Sequence, residues 1–232
     1  MKEILIKNIS IGDELLIGQV INTNAAWLGE HLSEAGFHLD SSLTIGDSEN
    51  AILNAFDACM DADLVLVTGG LGPTADDITK PTVCKFFDTE LEFCQAAYDN
   101  LVSLFERRGF KMSERNRGQA MLPKSCEYIP NTYGTAPCMW LEKNGVAFVF
   151  MPGVPFEMKG IFTDELLPRI KERFSFSWLN CCSSAHTATY PKGCRWHRRG
   201  WQDRLPRYTT WRAVWPDKPQ AHRKGNGPNA PR

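Results

Sequence analysis

The stretch from Asp63 to Thr79 (Asp-Leu-Val-Leu-Val-Thr-Gly-Gly-Leu-Gly-Pro-Thr-Ala-Asp-Asp-Ile-Thr) constrains the fold more than any other part of the chain. Its apolar run, Leu64 to Val67, predicts a short strand buried on both faces, as in a parallel sheet. The run passes at once into Gly69, Gly70 and Gly72, then Pro73, Thr74 and the adjacent acids Asp76 and Asp77. Glycines just beyond a strand's carboxyl end let backbone N–H groups approach a ligand with no side chain in the way. Open α/β sheets bind their ligands at that edge. Two carboxylates there suit a hard metal ion or proton transfer. The stretch therefore reads as a site for a phosphorylated ligand with a metal. The plainer alternative is a tight strand-to-helix turn whose two solvated acids cap the next helix.

The flanking sequence repeats this arrangement. Residues 3–11 predict a first strand that ends at Gly12, Asp13 and Glu14. Asn22 and Thr23 then offer caps for a helix with Leu28, Leu32 and Ala35 on one face, stopped by Gly36. Residues 37–45 predict a second strand ending at Gly46 and Asp47, and Ser48 caps a helix reaching about Met60. The order β-α-β-α-β implies parallel pairing with right-handed crossovers. Gly12/Asp13, Gly46/Asp47 and the loop from Gly69 to Asp77 should then gather at one edge of the sheet. Further helices are expected over 80–87 and 92–108, with a short polar helix from Ser113 carrying Arg115 and Arg117. A strand edge at 128–130 and a loop over 131–137 follow. Residues 139–141 and 146–151 predict a hairpin about Lys143-Asn144-Gly145. A final helix opened by Pro152-Gly153-Val-Pro155 carries Met158, Phe162, Leu166 and Ile170 and ends near Phe174. The expected fold is α/β: a three-layer α/β/α domain over residues 1–173 with a mainly parallel sheet, a small β-hairpin element and an unstructured carboxyl-terminal tail.

The net charge of −1 conceals two unlike halves. Residues 1–174 hold 15 Lys and Arg against 25 Asp and Glu; residues 175–232 hold 11 basic and 2 acidic. The tail has no Glu or Ile, yet it contains five of the seven Trp and six of the fourteen Pro, with no apolar period. Residues 174–232 therefore read as disordered or as an out-of-frame extension. An Arg/Trp-rich segment binding RNA by stacking and charge is the alternative, and no nucleic-acid partner is expected. Cys59, Cys84, Cys94, Cys126 and Cys138 have no ligand-like spacing and read as buried thiols of a reducing cytoplasm. Cys181, Cys182 and Cys194 with His186 and His197 match no zinc pattern. His31 and His38 read as a helix-face and a strand residue without chemistry. Met1 leads directly into a strand and no apolar run reaches about 18 residues, so a cytoplasmic protein with no signal peptide and no membrane partner is expected.

The glycine loop and its acids resemble the molybdopterin-binding-domain superfamily, of the MoaB/MogA type, and most nearly the amino-terminal domain of the CinA (competence/damage-inducible) proteins. Three further segments carry the resemblance. Asn116, Arg117 and Gln119 match an Asn-Arg-x-Gln element, residues 131–137 match Asn-x-x-Gly-Thr-Ala-Pro, and residues 152–157 match Pro-Gly-x-Pro-x-Glu. The match covers nearly all of residues 1–173, in order. Two departures stand out. Cys138 occupies a position where many relatives carry Gly, and nothing after residue 174 resembles the nicotinamide-nucleotide amidase domain with which full-length CinA proteins continue.

This resemblance implies hydrolysis of ADP-ribose to AMP and ribose 5-phosphate, dependent on a divalent metal ion of the Mg2+ or Co2+ class. Catalytic roles fall to Asp77, Asp47 and Asp76, with Asp77 and Asp47 as metal ligands. Gly12, Asp13, Gly69, Gly70, Gly72, Thr74, Thr79, Arg117, Gly134, Thr135 and Gly153 are candidates for holding the nucleotide phosphates. Thr79 serves equally well as a cap for the helix that begins at Lys80. The expected partner is a small-molecule nucleotide, and homo-oligomers are usual among such relatives. A molybdopterin ligand at the same loops, or a non-catalytic nucleotide-binding remnant, are the competing readings.

Overall fold

The computed structural model describes residues 4–72, 78–109, 112 and 114–179. Asp76, Asp77 and Thr74, and the tail from residue 180 on, lie outside the described residues. Strand β1 (Ile6–Ile11) leads through a one-turn helix α1 (Asp13–Leu16) to helix α2 (Thr23–Glu34). Strand β2 (Leu39–Ile45), helix α3 (Glu49–Asp57) and strand β3 (Leu64–Thr68) follow. The expected caps are in place: Asn22 accepts a hydrogen bond from the Ala25 amide, and Ser48 accepts one from Ala51. Helix α2 stops at Gly36, whose φ of 87° suits only glycine.

Helix α4 (Thr79–Phe87) begins one residue earlier than expected, with Ile78 rather than Thr79 in the cap position. Residues 92–94 do not open the next helix. Leu91–Phe93 forms strand β4, and helix α5 runs from Gln95 to Arg107. After α6 (Glu114–Arg117) and a tight turn, strand β5 (Met121–Pro123) pairs antiparallel with β4 in a separate two-stranded sheet. Strands β6 (Glu127–Ile129), β7 (Cys138–Lys143) and β8 (Val146–Met151) complete the set. The predicted hairpin is β7–β8, turning at Asn144 and Gly145 with φ of 52° and 84°, the left-handed pair that a two-residue turn demands. Cys138 sits in ordinary strand geometry, so the departure from glycine leaves the loop unstrained.

The six-stranded sheet has the order β2-β1-β3-β8-β7-β6. Strands β2, β1, β3 and β8 are parallel, and β7 and β6 add antiparallel to one side. The alternation of side chains divides the core into two layers. Ile9, Ile11, Val65, Val67, Phe148 and Phe150 face α3, α4 and α5. Ile6, Leu64, Leu66, Ala147, Val149 and Met151 face α2 and the last helices. All five residues of β3 are buried, as its central place requires.

The closing helix comprises α7 (Pro155–Ile161), a wider π turn (Phe162–Leu166) and α8 (Leu167–Leu179), five residues beyond the expected end. Its core residues Met158, Phe162, Leu166 and Ile170 recur every fourth position and are all fully buried. On a regular α-helix such a spacing drifts by roughly 40° per step. The π turn takes up that drift and keeps the four on one face.

Among the described residues, no helix is long and apolar enough to cross a membrane. Cys59, Cys84 and Cys138 are buried, whereas Cys94 and Cys126 are half-buried. Burial pushes the thiols of Cys59 and Cys138 up and raises Cys126 to about 12, which suppresses the reactive thiolate. Under native conditions at about pH 8, Cys59 and Cys138 should take up iodoacetamide only as fast as the domain unfolds. Mass-spectrometric labelling with and without urea checks this, and prompt native labelling of either contradicts it.

Candidate functional site

The strand order fixes where a site can form. The chain passes from β1 outward to β2 and then returns to β3 on the other side of β1, so the crossovers diverge between β1 and β3. A cleft of about 570 Å³ opens at that point, within the size range of small-molecule sites. Its floor is made by the ends of β1 and β3 (Ile11, Gly12, Thr68, Gly69, Gly70 and Gly72). Asp47, following β2, and Pro152 and Gly153, following β8, complete the rim. All four parallel strands thus deliver their carboxyl-terminal loops to one place.

The glycines divide into two kinds. The amides of Gly12 and Gly69 are engaged, donating to the carbonyls of Ile45 (3.0 Å) and Met151 (3.2 Å). Gly69 has a φ of 97°, and a side chain on it would lie 2.2 Å from the Ile11 carbonyl oxygen. These two glycines knit the strand ends together. The amides of Gly70, Leu71, Gly72 and Gly153 donate to no backbone carbonyl among the described residues, and they belong to the lining of the cleft. Within the glycine loop, residues 70–72 are thus the ones whose amides are left uncommitted to backbone carbonyls among the described residues. Thr79 sits beneath that loop: a Cβ on Gly70 would come 2.1 Å from its hydroxyl. It supports Gly70 from below and is absent from the cleft lining.

Asp13 and Asp47 meet as expected. The Asp47 amide donates to Asp13 Oδ1 at 3.1 Å, and the Asp13 amide donates to Asp47 Oδ2 at 3.2 Å. Asp47 lines the cleft, and Asp13 reaches it only through these two bonds to Asp47. Gly134 does not face the cleft as an anion donor. Its amide donates to Asn131 Oδ1, and the Glu157 carboxylate occupies the space a side chain would fill. Thr135, next to it, does line the cleft. Arg117 is exposed, with its guanidinium 5.6 Å from the Phe93 ring centroid, and it does not line the cleft either. Gln119, two residues further on, does line the cleft.

Lining side chains outside the expected set of phosphate and metal contacts include Asn24, Gln119 and Glu157. Glu157 is held by Asn131, a fully buried residue whose Nδ2 donates to Glu157 Oε2 (2.7 Å) and to the Ala136 carbonyl (2.8 Å). Asn24 donates to the Gly153 carbonyl at 2.8 Å, while its Oδ1 has no partner among the described residues. Gln119 is 2 % exposed, and neither atom of its side-chain amide has a partner among the described residues. The helix start after β1 always lies at the ligand edge of a βαβ unit, which was the available signal for Asn24. The signal for Gln119 was its place in the Asn-Arg-x-Gln element that carries the resemblance.

The charged side chains in the lining are all acids: Glu14, Asp47 and Glu157. No Lys, Arg or His joins them among the described residues. Lys80 lies close by but is buried, and its ammonium donates to the Gln119 carbonyl at 3.1 Å. Among the described residues no three His, Cys, Asp or Glu side chains come together as a metal cluster. Asp13 and Asp47 each retain one carboxylate oxygen free of the other's amide. That donor set fits a hard cation brought in by a ligand's phosphates, not one caged by protein alone.

The sequence and fold have known counterparts. The family described as "Probable molybdopterin binding domain" matches residues 7–172. A "CinA-like protein" from Cytophaga hutchinsonii is 44% identical over 167 residues, 72% of this chain and 40% of that protein's length. The chain thus spans well under half of that relative. The crystal structure of a CinA protein of unknown function from Thermoplasma acidophilum superposes with a TM-score of 0.62 at 29% identity, covering 74% of this chain and 98% of that one. The molybdopterin biosynthesis enzyme MoaB from Thermus thermophilus shares the fold alone, with a TM-score of 0.52 at 17% identity over 75% of this chain and 95% of that one. From its strand order to its glycine loop and its rim, this chain belongs to the molybdopterin-binding-domain family, in the CinA-like group.

Proposed function

We propose that the cleft binds a nucleotide pyrophosphate and hydrolyses it, with ADP-ribose as the substrate in pyridine-nucleotide recycling. One observation carries this reading: residues 70–72 and Gly153, whose amides donate to no backbone carbonyl among the described residues, line a cleft whose charged side chains among those residues are all acidic. Uncommitted N–H groups hold phosphate oxygens, and the N-terminal turn of α2 adds its positive end. Acids without cations repel a bare pyrophosphate, so the ligand enters as the complex of a divalent ion. Asp47, with Asp13, Asp77 or Asp76, would hold that ion, which when bound would offset phosphate charge and lower the pKa of a bound water. The glycine amides orient the pyrophosphate, and a carboxylate at the rim takes the proton of the attacking water. The water oxygen forms a bond to phosphorus and the anhydride P–O bond breaks, giving AMP and ribose 5-phosphate, each as the dianion, and two protons.

The family description and the shared fold of the Thermus MoaB favour a second reading, in which the same amides hold the phosphate of a molybdopterin. Incubation with ADP-ribose and magnesium or cobalt, followed by chromatography, separates the two. AMP that appears with metal and is abolished by a chelator is the expected result. Absence of AMP together with tight molybdopterin binding overturns the hydrolase reading.

A further inference from the structure

We infer that Gln119 reads the base of the bound nucleotide, taking adenine by a paired donor and acceptor contact; this rests on the nucleotide reading above. A side-chain amide buried without partners loses its hydration, and each unsatisfied group is expensive. Among the described residues Gln119 leaves both its Nε2 and its Oε1 in that state, at 2 % exposure, on the lining of the cleft. Its carbonyl is fixed by the Lys80 ammonium, so the backbone that carries the amide is anchored. Its neighbours Ala120 and Leu122 are fully packed in the core layer of α3 to α5. The amide is therefore a donor–acceptor pair on an anchored backbone, without a complement among the described residues.

The chemistry of the complement follows. Phosphate offers acceptors only and would satisfy Nε2 while leaving Oε1 facing like charge. A group presenting a donor and an acceptor side by side satisfies both. Adenine does so with its 6-amino group beside a ring nitrogen, and a side-chain amide pairs with it in two contacts. Asn24 offers a second, independent orphan in the same cleft. Its Nδ2 is fixed on the Gly153 carbonyl, leaving Oδ1 as an acceptor for a hydroxyl. Asn24 belongs to α2 on one face of the sheet, and Gln119 adjoins the core layer of the other face. The cleft thus pairs neutral recognition at its walls with anion-binding amides at its floor.

The test is calorimetric and needs no turnover: AMP and purine riboside 5′-monophosphate, which lacks only the 6-amino group, are titrated into the full chain with magnesium. A good bidentate contact discriminates by roughly 5- to 150-fold. The wild type should favour AMP by about tenfold or more, and Gln119→Leu should bring the two ligands within about twofold. Gln119→Met, which keeps the side chain's length, should do the same and serves where the leucine variant melts early. Equal affinity of the wild type for both ligands overturns the inference, as does a preference that survives in both variants; ADP-ribose hydrolysis intact in that protein leaves the nucleotide reading standing. A wild type that binds neither ligand and yields no AMP from ADP-ribose overturns both.

Discussion

Replacing Gly69 by alanine is expected to cost about 3 kcal/mol of folding stability and to abolish the cleft's grip on phosphate. Two effects add. A φ of 97° places an L-residue in a conformation that side chains rarely adopt, at a cost of about 1–2 kcal/mol. The new Cβ also meets the Ile11 carbonyl oxygen at 2.2 Å, and overpacking of this kind costs about 1–3 kcal/mol. That oxygen belongs to β1, which is paired on both sides, so relief requires moving the sheet's end as a whole. Urea denaturation gives the comparison, with two other positions as references. Gly109 also has a positive φ but open space around it, so Gly109→Ala should cost only about 1 kcal/mol. Gly118 has open space and no positive φ, and Gly118→Ala should be near neutral, within about 0.5 kcal/mol. Equal stability of the Gly69 and Gly118 variants would remove the structural role given to Gly69.

The second large effect falls on turnover. Asp47→Asn should reduce ADP-ribose hydrolysis by on the order of 100-fold or more while changing stability by less than about 0.5 kcal/mol. Asparagine keeps an oxygen to accept from the Asp13 amide, so the loop joining the β1 and β2 ends stays closed. Only the charge is lost, and with it one of the carboxylates available to a phosphate-bound cation. Steady-state rates across a magnesium series check this. Loss of rate without loss of fold supports the assignment, and a rate within about threefold of the wild type contradicts it.

Much of this arrangement was legible in the amino-acid sequence. Leu64 to Val67 announced a central strand because no surface strand can be apolar on both faces. Asn22 and Ser48 announced helix starts through their own side-chain bonds to the third amide onward. Asn144-Gly145 announced the β7–β8 turn through its tolerance of positive φ. The parallel order followed from alternation, and with it the meeting of Asp13 and Asp47. What escaped depends on distant partners. Leu91–Phe93 and Met121–Pro123 are three-residue strands, too short to show a period, and each exists because the other pairs with it. Arg117 has the chemistry for phosphate yet stands exposed outside the cleft lining, whereas Gln119, two residues on, is part of it. Which glycine amides remain open was settled by cross-strand carbonyls at Ile45 and Met151, which no local pattern reveals. Asp76, Asp77 and Thr74 lie outside the described residues, so their assignments stand as proposals.

The most direct test is a crystal structure of the full chain with a non-hydrolysable methylene analogue of ADP-ribose and magnesium. The diphosphonate is expected against the amides of residues 70–72 and Gly153, with the cation on the Asp47 side. An analogue seated elsewhere, for instance in the Arg169–Arg173 groove near Trp140, contradicts the claim that the joined strand ends form the phosphate site.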